Sequence, residues 1–396
     1  MAARSHKTSD VPIRDEHDIH RLVVKVGTST LTDASGCLDR PFIADLAAQL
    51  AYQRNLGRDI ILVSSGAICV GKDRLAHRLD SVVTIDPGRH SAALPYKQAA
   101  AAVGQGLLMA TYTEAFSWRN STVAQVLLTR EDLADRGRFL NARNTLLALL
   151  ELGVIPIINE NDTIAVEEIK FGDNDNLAAL VAVIVEADML LILSDVAGLY
   201  THAPDPESSE PPEVIPIVSC IDLAIESRAG GAGSKSGTGG MHSKIQAARV
   251  ATASGVTTMI AHGRRPGVIT EAADGQNPGT LFLPGDNRLK GRKRWIAAGS
   301  RARGNVTVNP CAVQKLKRNG VSLLAVGITT VAGDFESGDM IEVRDENGVR
   351  FARGLTNYPS EQLRQIVGKH SDEFEAILGH KSYEEVIHRD NLVVVK

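Results

Sequence analysis

Residues 21–30 have the sequence RLVVKVGTST, in which a short apolar run containing one lysine ends at a glycine turn. The β-branched residues of this run predict a strand over residues 21–26. Further short apolar runs follow as far as residue 261, and the segments between them have the apolar spacing of helices. The further predicted strands are 59–63, 122–128, 154–159, 189–194 and 257–261. The predicted helices are 41–54, 94–116, 137–152, 173–185 and 241–254.

Regular alternation of strands and helices predicts an α/β fold, a parallel sheet covered by helices on both faces in an α/β/α sandwich. Ligands of such sheets bind at the carboxyl ends of the strands. The polar turns that follow the predicted strands are therefore the candidate binding residues. Residues 77–93 are polar and contain proline and glycine, which predicts an exposed loop.

The pattern changes after residue 284. Residues 288–303 contain seven lysines and arginines and no acidic residue. Short β runs between glycine turns follow, including NVTV, SLLAVGITTV and MIEVRD, and predict a compact, mostly β domain. The predicted division is an N-terminal extension over 1–20, an α/β catalytic domain over 21–284, a basic linker over 285–304 and a β domain over 305–390.

Composition excludes several classes of protein. The 396 residues are 43% hydrophobic and 23% charged, which is typical of a globular protein and not of a disordered one. A formal net charge of −4 gives no whole-chain preference for nucleic acid. Four scattered cysteines and a polar N-terminus predict a cytoplasmic protein without a disulfide framework or signal peptide. The longest apolar run, 177–185, is too short to span a membrane.

Two motifs point to an anionic ligand. Lys25 interrupts an apolar strand two residues before Gly27 and Thr28, whose backbone and hydroxyl groups can bind phosphate oxygens. The alternative is a lysine that extends from the strand end into water. The segment SGTGGMHSK (236–244) opens a predicted helix and would present a row of NH donors. Its alternative is a flexible linker.

Four further segments are rich in short polar side chains. The segment NEND (159–162) follows one strand, and GDNDN (172–176) lies ten residues later. Asparagine and aspartate commonly form turns and helix caps, but two such clusters at one sheet edge indicate a site for a polar ligand. Ser64-Ser65-Gly66 could bind a carboxylate or phosphate, and Ser194-Asp195 a nucleotide, although both are equally typical of ordinary turns.

Several familiar motifs are absent from the sequence. There is no G-x-x-x-x-G-K-[ST] phosphate-binding loop, and no G-x-G-x-x-G follows the first strand. His388-Arg389-Asp390 matches part of a protein-kinase catalytic loop, but it lies at the far C-terminus in a β context. We therefore interpret it as a surface charge cluster.

The motifs taken together resemble those of the glutamate 5-kinases, in the amino acid kinase family. The matching segments are VVKVGTSTLT (23–32), SSGAI (64–68), AAVGQGLL (101–108), LLTRED (127–132), RFLNARNTL (138–146), IPIINENDTIAVEEIKFGDNDNLAALVA (155–182), LLILSDVAGLYT (191–201) and GTGGMHSKIQAA (237–248). RKRWI (292–296) and the β-rich tail resemble a PUA domain. The resemblance covers about residues 21–390, and the extension and the long 77–93 segment depart from it.

The resemblance implies transfer of the ATP γ-phosphoryl group to the side-chain carboxylate of L-glutamate, the first step of proline biosynthesis. It implies that Lys25 and Lys244 neutralise the transferred group and that Asp175 holds the two lysines. The implied glutamate-binding residues are Ser65, Gly66, Asn159, Asp162 and Asn174. The implied nucleotide-binding residues are Lys25, Gly27, Thr28, Ser194, Asp195, Thr238, Gly239, Gly240, Met241, His242, Ser243 and Lys244, of which His242 and Ser243 fill variable positions of the motif.

The resemblance also implies Mg²⁺ as the companion of ATP, proline as a feedback inhibitor and a homo-oligomer, a dimer or a tetramer. Three alternatives stay open. One is a related kinase that acts on aspartate or acetylglutamate. The second is an RNA-associated protein, because PUA domains bind RNA in other families and the stretch 288–303 would suit phosphates. The third is a metabolite sensor without activity, which Lys25, Asp175 and Lys244 argue against.

Overall fold

The computed structural model describes residues 19–33, 36–85, 94–134, 136–165, 174–202, 212–228, 240–285, 302–319, 321–379 and 383–394. The chain forms two compact units, Met1–Asn287 and Arg288–Lys396. Their border falls inside the predicted linker, whose limits remain a prediction.

The first unit contains an eight-stranded sheet. In chain order its strands are β1 (Arg21–Val26), β2 (Asp59–Ser64), β3 (Val123–Leu128), β4 (Ile155–Glu160), β5 (Met189–Ser194), β6 (Ile217–Val218), β7 (Thr257–His262) and β8 (Thr280–Phe282). They lie in the order β3-β4-β2-β1-β5-β7-β8-β6. In this sheet order the first six strands, from β3 to β7, are parallel to one another, whereas β8 pairs with β7 in the antiparallel direction. The predicted parallel sheet is thus confirmed for six strands, and the strand at 257–261 is not the last one.

The described helices of this unit are α1 (Thr28–Leu31), α2 (Arg40–Asn55), α3 (Ala67–Ile85), α4 (Leu94–Ser117), α5 (Arg130–Ala134), α6 (Arg136–Glu151), α7 (Asn174–Ile184), α8 (Leu223–Arg228), α9 (Met241–Ala253) and α10 (Val268–Ala273). They cover both faces of the sheet. Residues of α7 and α9 pack with Val23 and Val63 on one face, and residues of α2, α4 and α10 pack with Leu22 and Val24 on the other. The alternation of β1 therefore places Lys25 on the same face as Val23, towards α7 and α9.

The prediction of a loop over 77–93 is wrong for its first part, because α3 continues to Ile85. Residues 72–77 of α3, which lead into the predicted loop, are mostly exposed. Ala67, Val70 and Gly71 are buried, while Lys72, Asp73, Arg74, Ala76 and His77 are exposed, so this part of the helix has only a narrow apolar contact face. Residues 86–93 lie outside the described part of the chain.

The second unit has its own sheet, of strands β9 (Gly304–Val308), β10 (Ile328–Gly333), β11 (Met340–Arg344), β12 (Arg350–Leu355) and β13 (Leu392–Val394), in the order β10-β9-β11-β12-β13. The described residues of this unit also form three α-helices, α11 (Pro310–Asn319), α12 (Ser360–Ile366) and α13 (Phe374–Leu378). The predicted β-rich domain is confirmed, with the helices as an addition. Residues 325–327 of the predicted SLLAVGITTV run form a 3₁₀ turn instead of strand.

Several predictions fall wholly or partly outside the described residues. They are the first 18 residues of the extension, most of the basic linker, GD of GDNDN, and Thr238 and Gly239 of the glycine-rich loop. The RNA alternative, which depends on the linker, stays a prediction. In the described part of the chain, no helix is long and apolar enough to cross a membrane.

Candidate active site

Lys25, Asp175 and Lys244 form a buried charged cluster. The Nζ atom of Lys25 lies 2.5 Å from Oδ1 of Asp175, and the Nζ atom of Lys244 lies 3.2 Å from Oδ2 of the same carboxylate. Asp175 has no exposed surface, and the lysines are 4% and 6% exposed. Buried charges of this kind require partners, because removal from water costs several kcal/mol per ion. Two ammonium groups and one carboxylate leave a formal charge of +1, which suits an anionic ligand.

The fold brings these three side chains together from distant parts of the sequence. Lys25 lies near the carboxyl end of β1, Asp175 is the second residue of α7, and Lys244 lies in the first turn of α9. Both helices therefore begin at the edge of the sheet where β1 ends. A carboxylate in the first turn of α7 is favoured by the helix dipole.

Ser243 adds a hydroxyl group to the cluster. Its Oγ lies 2.9 Å from Oδ2 of Asp175 and 2.8 Å from the carbonyl oxygen of Gly240. One hydroxyl proton is thus shared between two acceptors, the aspartate and the residue that precedes α9. Ser243 occupies a variable position of the predicted motif, but the structure places it in direct contact with Asp175.

A second group of side chains is joined by amide hydrogen bonds. Nδ2 of Asn174 lies 2.9 Å from Oγ of Ser65 and 2.9 Å from Oδ1 of Asn159. Nδ2 of Asn159 donates to Oε1 of Gln105 at 2.8 Å. Because Asn174 precedes Asp175 in the chain, this amide group lies beside the charged cluster. The geometry provides a polar pocket wall next to a positively charged centre.

Glycines border both groups. Gly66 has φ +104°, a left-handed conformation that side chains rarely adopt, and it turns the chain from Ser65 into α3. A Cβ atom at Gly27 would stand 3.4 Å from Nζ of Lys25, so glycine leaves the ammonium group open on that side. Thr28 follows as the first residue of α1 and is half-buried.

Ser194 and Asp195 lie at the end of β5, the neighbour of β1. Oγ of Ser194 donates to Oδ1 of Asp195 at 3.1 Å, and the Ser194 carbonyl accepts from the NH of Gly263 at 2.8 Å. Ser194 is buried and Asp195 is exposed. This pair therefore presents a carboxylate at the ligand edge of the sheet, on the side of β1 opposite to β2 and β4.

Four further predicted residues lie in the described part of the chain. Asp162 is half-buried in the turn after β4. Met241 packs against the apolar core below α9, and His242 is exposed. Gly240 lies directly before α9 in extended conformation.

Sequence reasoning missed Gln105 and Tyr112 as residues at this edge of the sheet. The Tyr112 hydroxyl lies 2.9 Å from Oγ of Ser64, and burial raises the pKa of the tyrosine well above its ordinary value, so it stays protonated at neutral pH. The signal for Gln105 was a single amide side chain within an alanine- and glycine-rich helical run, AAVGQGLL.

Among the described residues, no group of three histidine, cysteine or acidic side chains could hold an ion. The Asp175 carboxylate is already bound by two ammonium groups. Mg²⁺ commonly binds through phosphate oxygens and few protein carboxylates, so a metal that arrives with a nucleotide fits this site better than a protein-held one.

Comparison with known proteins matches two family models. The amino acid kinase family model matches residues 20–262, and the PUA domain model matches residues 304–378. The first match covers more than half of the chain. Both charged and amide groups of the site lie inside it.

Curated relatives match nearly the whole chain. The glutamate 5-kinase of Moorella thermoacetica is 48% identical over 375 residues, covering 95% of this chain and 96% of the relative. That of Trichlorobacter lovleyi is 49% identical, covering 95% and 97%, and that of Dehalococcoides mccartyi strain CBDB1 is 46% identical, covering 96% and 100%.

A solved structure, the UMP kinase of Ureaplasma parvum, aligns with 67% of this chain and 99% of its own at 14% identity and a TM-score of 0.47. That similarity is too low to support an assignment, which therefore rests on the sequence relatives and the family models. The chain belongs to the amino acid kinase family, among the glutamate 5-kinases, and carries a PUA domain after its kinase domain.

Proposed function

We propose that the chain transfers the γ-phosphoryl group of ATP to the side-chain carboxylate of L-glutamate and so forms L-glutamyl 5-phosphate, the first step of proline biosynthesis. The observation that carries this proposal is the buried cluster of Lys25, Asp175 and Lys244 beside a wall of amide groups. The cluster suits a transferring phosphoryl group, and the wall suits an amino acid. The similarity to curated glutamate 5-kinases over almost the whole chain supports the same reaction.

The chemistry needs no general base. The side-chain carboxyl of glutamate has an ordinary pKa of about 4.3, so it is ionised at neutral pH. One of its oxygens forms a bond to the γ-phosphorus, the bond from that phosphorus to the β–γ bridging oxygen breaks, and ADP leaves with the electron pair. The obstacle is the approach of two anions, so positioning and positive charge supply the catalysis.

Each part of the site has a role in this proposal. Lys25 and Lys244 would bind the γ-phosphoryl oxygens and stabilise the charge that develops on them. Asp175 would keep the two ammonium groups at a fixed separation, with Ser243 as a third partner of its carboxylate. Backbone NH groups after Gly27 and at the start of α9 would bind further phosphate oxygens.

The amide group and its neighbours would bind glutamate. Ser65, Gly66, Asn159 and Asn174 would contact its carboxylates, and the Asp162 carboxylate would pair with its α-ammonium group. The nucleotide would lie beside Ser194 and Asp195, and Mg²⁺ bound to the phosphates would supply additional positive charge. Thr238 and Gly239, which lie outside the described residues, would add further NH groups to the phosphate contacts.

The family resemblance supports further proposals about regulation and assembly. We expect proline to inhibit the enzyme, because it carries the same α-carboxylate and α-amino nitrogen as glutamate. We also expect a homo-oligomer, a dimer or a tetramer, in the cytoplasm.

A substrate panel tests the proposed reaction. ADP release by the purified protein with Mg-ATP would be compared for L-glutamate, L-aspartate, N-acetyl-L-glutamate, UMP and carbamate. We expect L-glutamate to give a kcat/KM at least about 100-fold above each other acceptor. Equal or greater turnover of aspartate or acetylglutamate would replace this function with that of the related kinase, and no turnover of any acceptor would favour the sensor alternative.

A further inference from the structure

Gln105 is a buried polar side chain that the proposed mechanism does not yet use. It lies on α4, on the helix face that also buries Ala101, Leu108 and Tyr112. The residue is 8% exposed. A glutamine on an apolar helix face loses hydration of its amide, so its donors and acceptor require partners.

The orientation of the Gln105 amide follows from its neighbours. The NH of Glu160 donates to one side-chain atom of Asn159 at 2.8 Å, and a backbone NH can only donate, so that atom is Oδ1. The other atom of the Asn159 amide is then Nδ2, which faces Gln105 at 2.8 Å. Gln105 must therefore present Oε1 to Asn159 and turn its own NH₂ group away.

The NH₂ group of Gln105 has no acceptor among the described residues: the contact with Asn159 is the one hydrogen bond of this side chain there. Nε2 is also not among the completely enclosed atoms that lack a partner. The Nε2 atom is therefore not completely enclosed, although Gln105 as a whole is buried. A buried amide with one satisfied end and one open donor is suited to an acceptor from a ligand.

The position of Gln105 indicates which part of a ligand it would meet. Asn174 and Asn159 connect it to the cluster around Asp175, and Asn159 lies on β4, which is two strands away from β1. Two strand spacings are about 10 Å. An acidic ligand whose reacting carboxylate lies at the lysines would thus extend its other end towards β4 and α4.

We propose that Gln105 is a substrate-binding residue whose Nε2 donates a hydrogen bond to the α-carboxylate of bound glutamate. This inference rests on the proposed function and adds a specificity contact to it. The NH₂ group recognises the end of the substrate that does not react, and the Oε1 atom fixes Asn159 in the orientation that accepts from Asn174. Acceptors that lack a carboxylate at this end lose the contact.

The competing explanation is that Gln105 only positions Asn159. Gln105→Glu separates the two explanations, because a carboxylate still accepts from Nδ2 of Asn159 but can no longer donate to the substrate. Gln105→Met, which is uncharged and of similar size, removes both the donor and the acceptor for Asn159 without introducing charge repulsion, so it measures the effect of losing the whole amide. Gln53→Glu is the matched control: Gln53 is also buried, but it lies on α2 and bonds to Thr270 and Arg58.

The test is a steady-state comparison of these three variants with the wild type, with thermal melting to verify folding. We expect both Gln105 variants to raise the glutamate KM about 10-fold or more, as loss of a hydrogen bond to a charged group predicts, with kcat within about threefold and the ATP KM within about twofold. Gln53→Glu should leave all three constants within about twofold.

Other outcomes would overturn the inference. A folded Gln105→Glu enzyme with a glutamate KM within threefold of the wild type would leave Gln105 as a positioning residue for Asn159. A fall of kcat by 10-fold with an unchanged glutamate KM would place its contact at the reacting carboxylate. Absence of glutamate turnover in the wild type itself would reject the proposed function instead.

Discussion

Asp175 determines how positive charge is held at this site. Its two carboxylate oxygens are each bound by one lysine, Lys25 from a strand and Lys244 from a helix start. Since the carboxylate is fully buried, leaving it without the two lysines would destabilise the folded protein by several kcal/mol. Leaving the buried ammonium groups without the carboxylate would have a similar cost. The separation of the ammonium groups is therefore fixed before a ligand binds, which is the preorganisation that electrostatic catalysis requires.

The lysines should be needed for turnover, while the fold should persist in each single variant because Asp175 keeps one ammonium partner. We predict that Lys25→Ala and Lys244→Ala each lower kcat about 100-fold or more. Each variant removes one positive side chain that would stabilise the negative charge of the transferred phosphoryl group. Lys315→Ala, at an exposed position in the second unit, is the control and should leave kcat unchanged. Near-wild-type turnover in either site variant would remove that lysine from the mechanism.

Asp162 should distinguish between the two substrates. We predict that Asp162→Ala raises the glutamate KM 10-fold or more and leaves the ATP KM within twofold, because only glutamate carries an ammonium group for its carboxylate. Asn161→Ala is the neighbouring control; its side chain accepts a hydrogen bond from Thr163 within the same turn. If Asp162→Ala left the glutamate KM unchanged, its substrate role would be rejected.

At the scale of elements, the crossing of α3 and α4 shapes the substrate end of the site. Helix α3 follows Ser65 and Gly66, and α4 carries Gln105. A Cβ atom at Gly104 would stand 1.8 Å from the Ala67 carbonyl oxygen, and one at Gly71 would stand 1.7 Å from that of Ala100. Backbone atoms cannot move aside as a flexible side chain can. The absence of a Cβ atom at these two glycines therefore allows α3 and α4 to pack closely against each other.

This contact predicts a strong contrast between two alanine variants of one helix. Gly104→Ala must push α3 and α4 apart and should lower the free energy of unfolding by about 2 kcal/mol or more. A Cβ atom at Gly106 would meet no atom within 4 Å. Gly106→Ala should therefore raise the free energy of unfolding by up to about 1 kcal/mol, because alanine favours the helix. Urea unfolding of both variants measures the difference; equal stability would disprove the close crossing.

The elements differ in how well the sequence predicts them. Strands β1, β2, β4 and β5 are mainly apolar runs between turns, and their bounds agree with the structure to within a residue. The part of α3 from residue 77 onwards was missed because the segment 77–93 is polar in sequence and contains proline and glycine. The short strands β6 and β8 were missed because two or three residues carry no detectable period.

The same limit applies to the site. Lys25, Ser65, Asn159, Asn174, Asp175 and Lys244 were proposed from motifs, and the structure places them in two connected groups, although their roles remain predictions. Gln105 could not be predicted, because its bond to Asn159 joins residues 54 positions apart through the packing of α4 beside β4. Such contacts depend on tertiary structure, which local sequence patterns do not report.

At the scale of the molecule, the two units have separate hydrophobic cores, one built on the eight-stranded sheet and one on the five-stranded sheet. All proposed site residues belong to the first unit. The groups proposed to bind ATP and glutamate therefore all come from one unit.

We predict that a chain ending at residue 287 folds cooperatively and keeps kcat and both KM values within about threefold of the full chain. Thermal melting and initial rates, measured side by side with the full-length protein, test this. A truncated chain that melts cooperatively but loses more than 10-fold in kcat/KM would show that the second unit contributes to the site.

The most direct test of the central claim is to trap the acyl phosphate. Purified wild-type protein would be incubated with Mg-ATP, L-glutamate and hydroxylamine, and glutamyl hydroxamate and ADP would be quantified together. Phosphoryl transfer to the side-chain carboxylate predicts ATP-dependent hydroxamate in equal amount to ADP, and its loss in Lys25→Ala and Lys244→Ala. ADP release without hydroxamate, or no ADP release at all, would contradict the account.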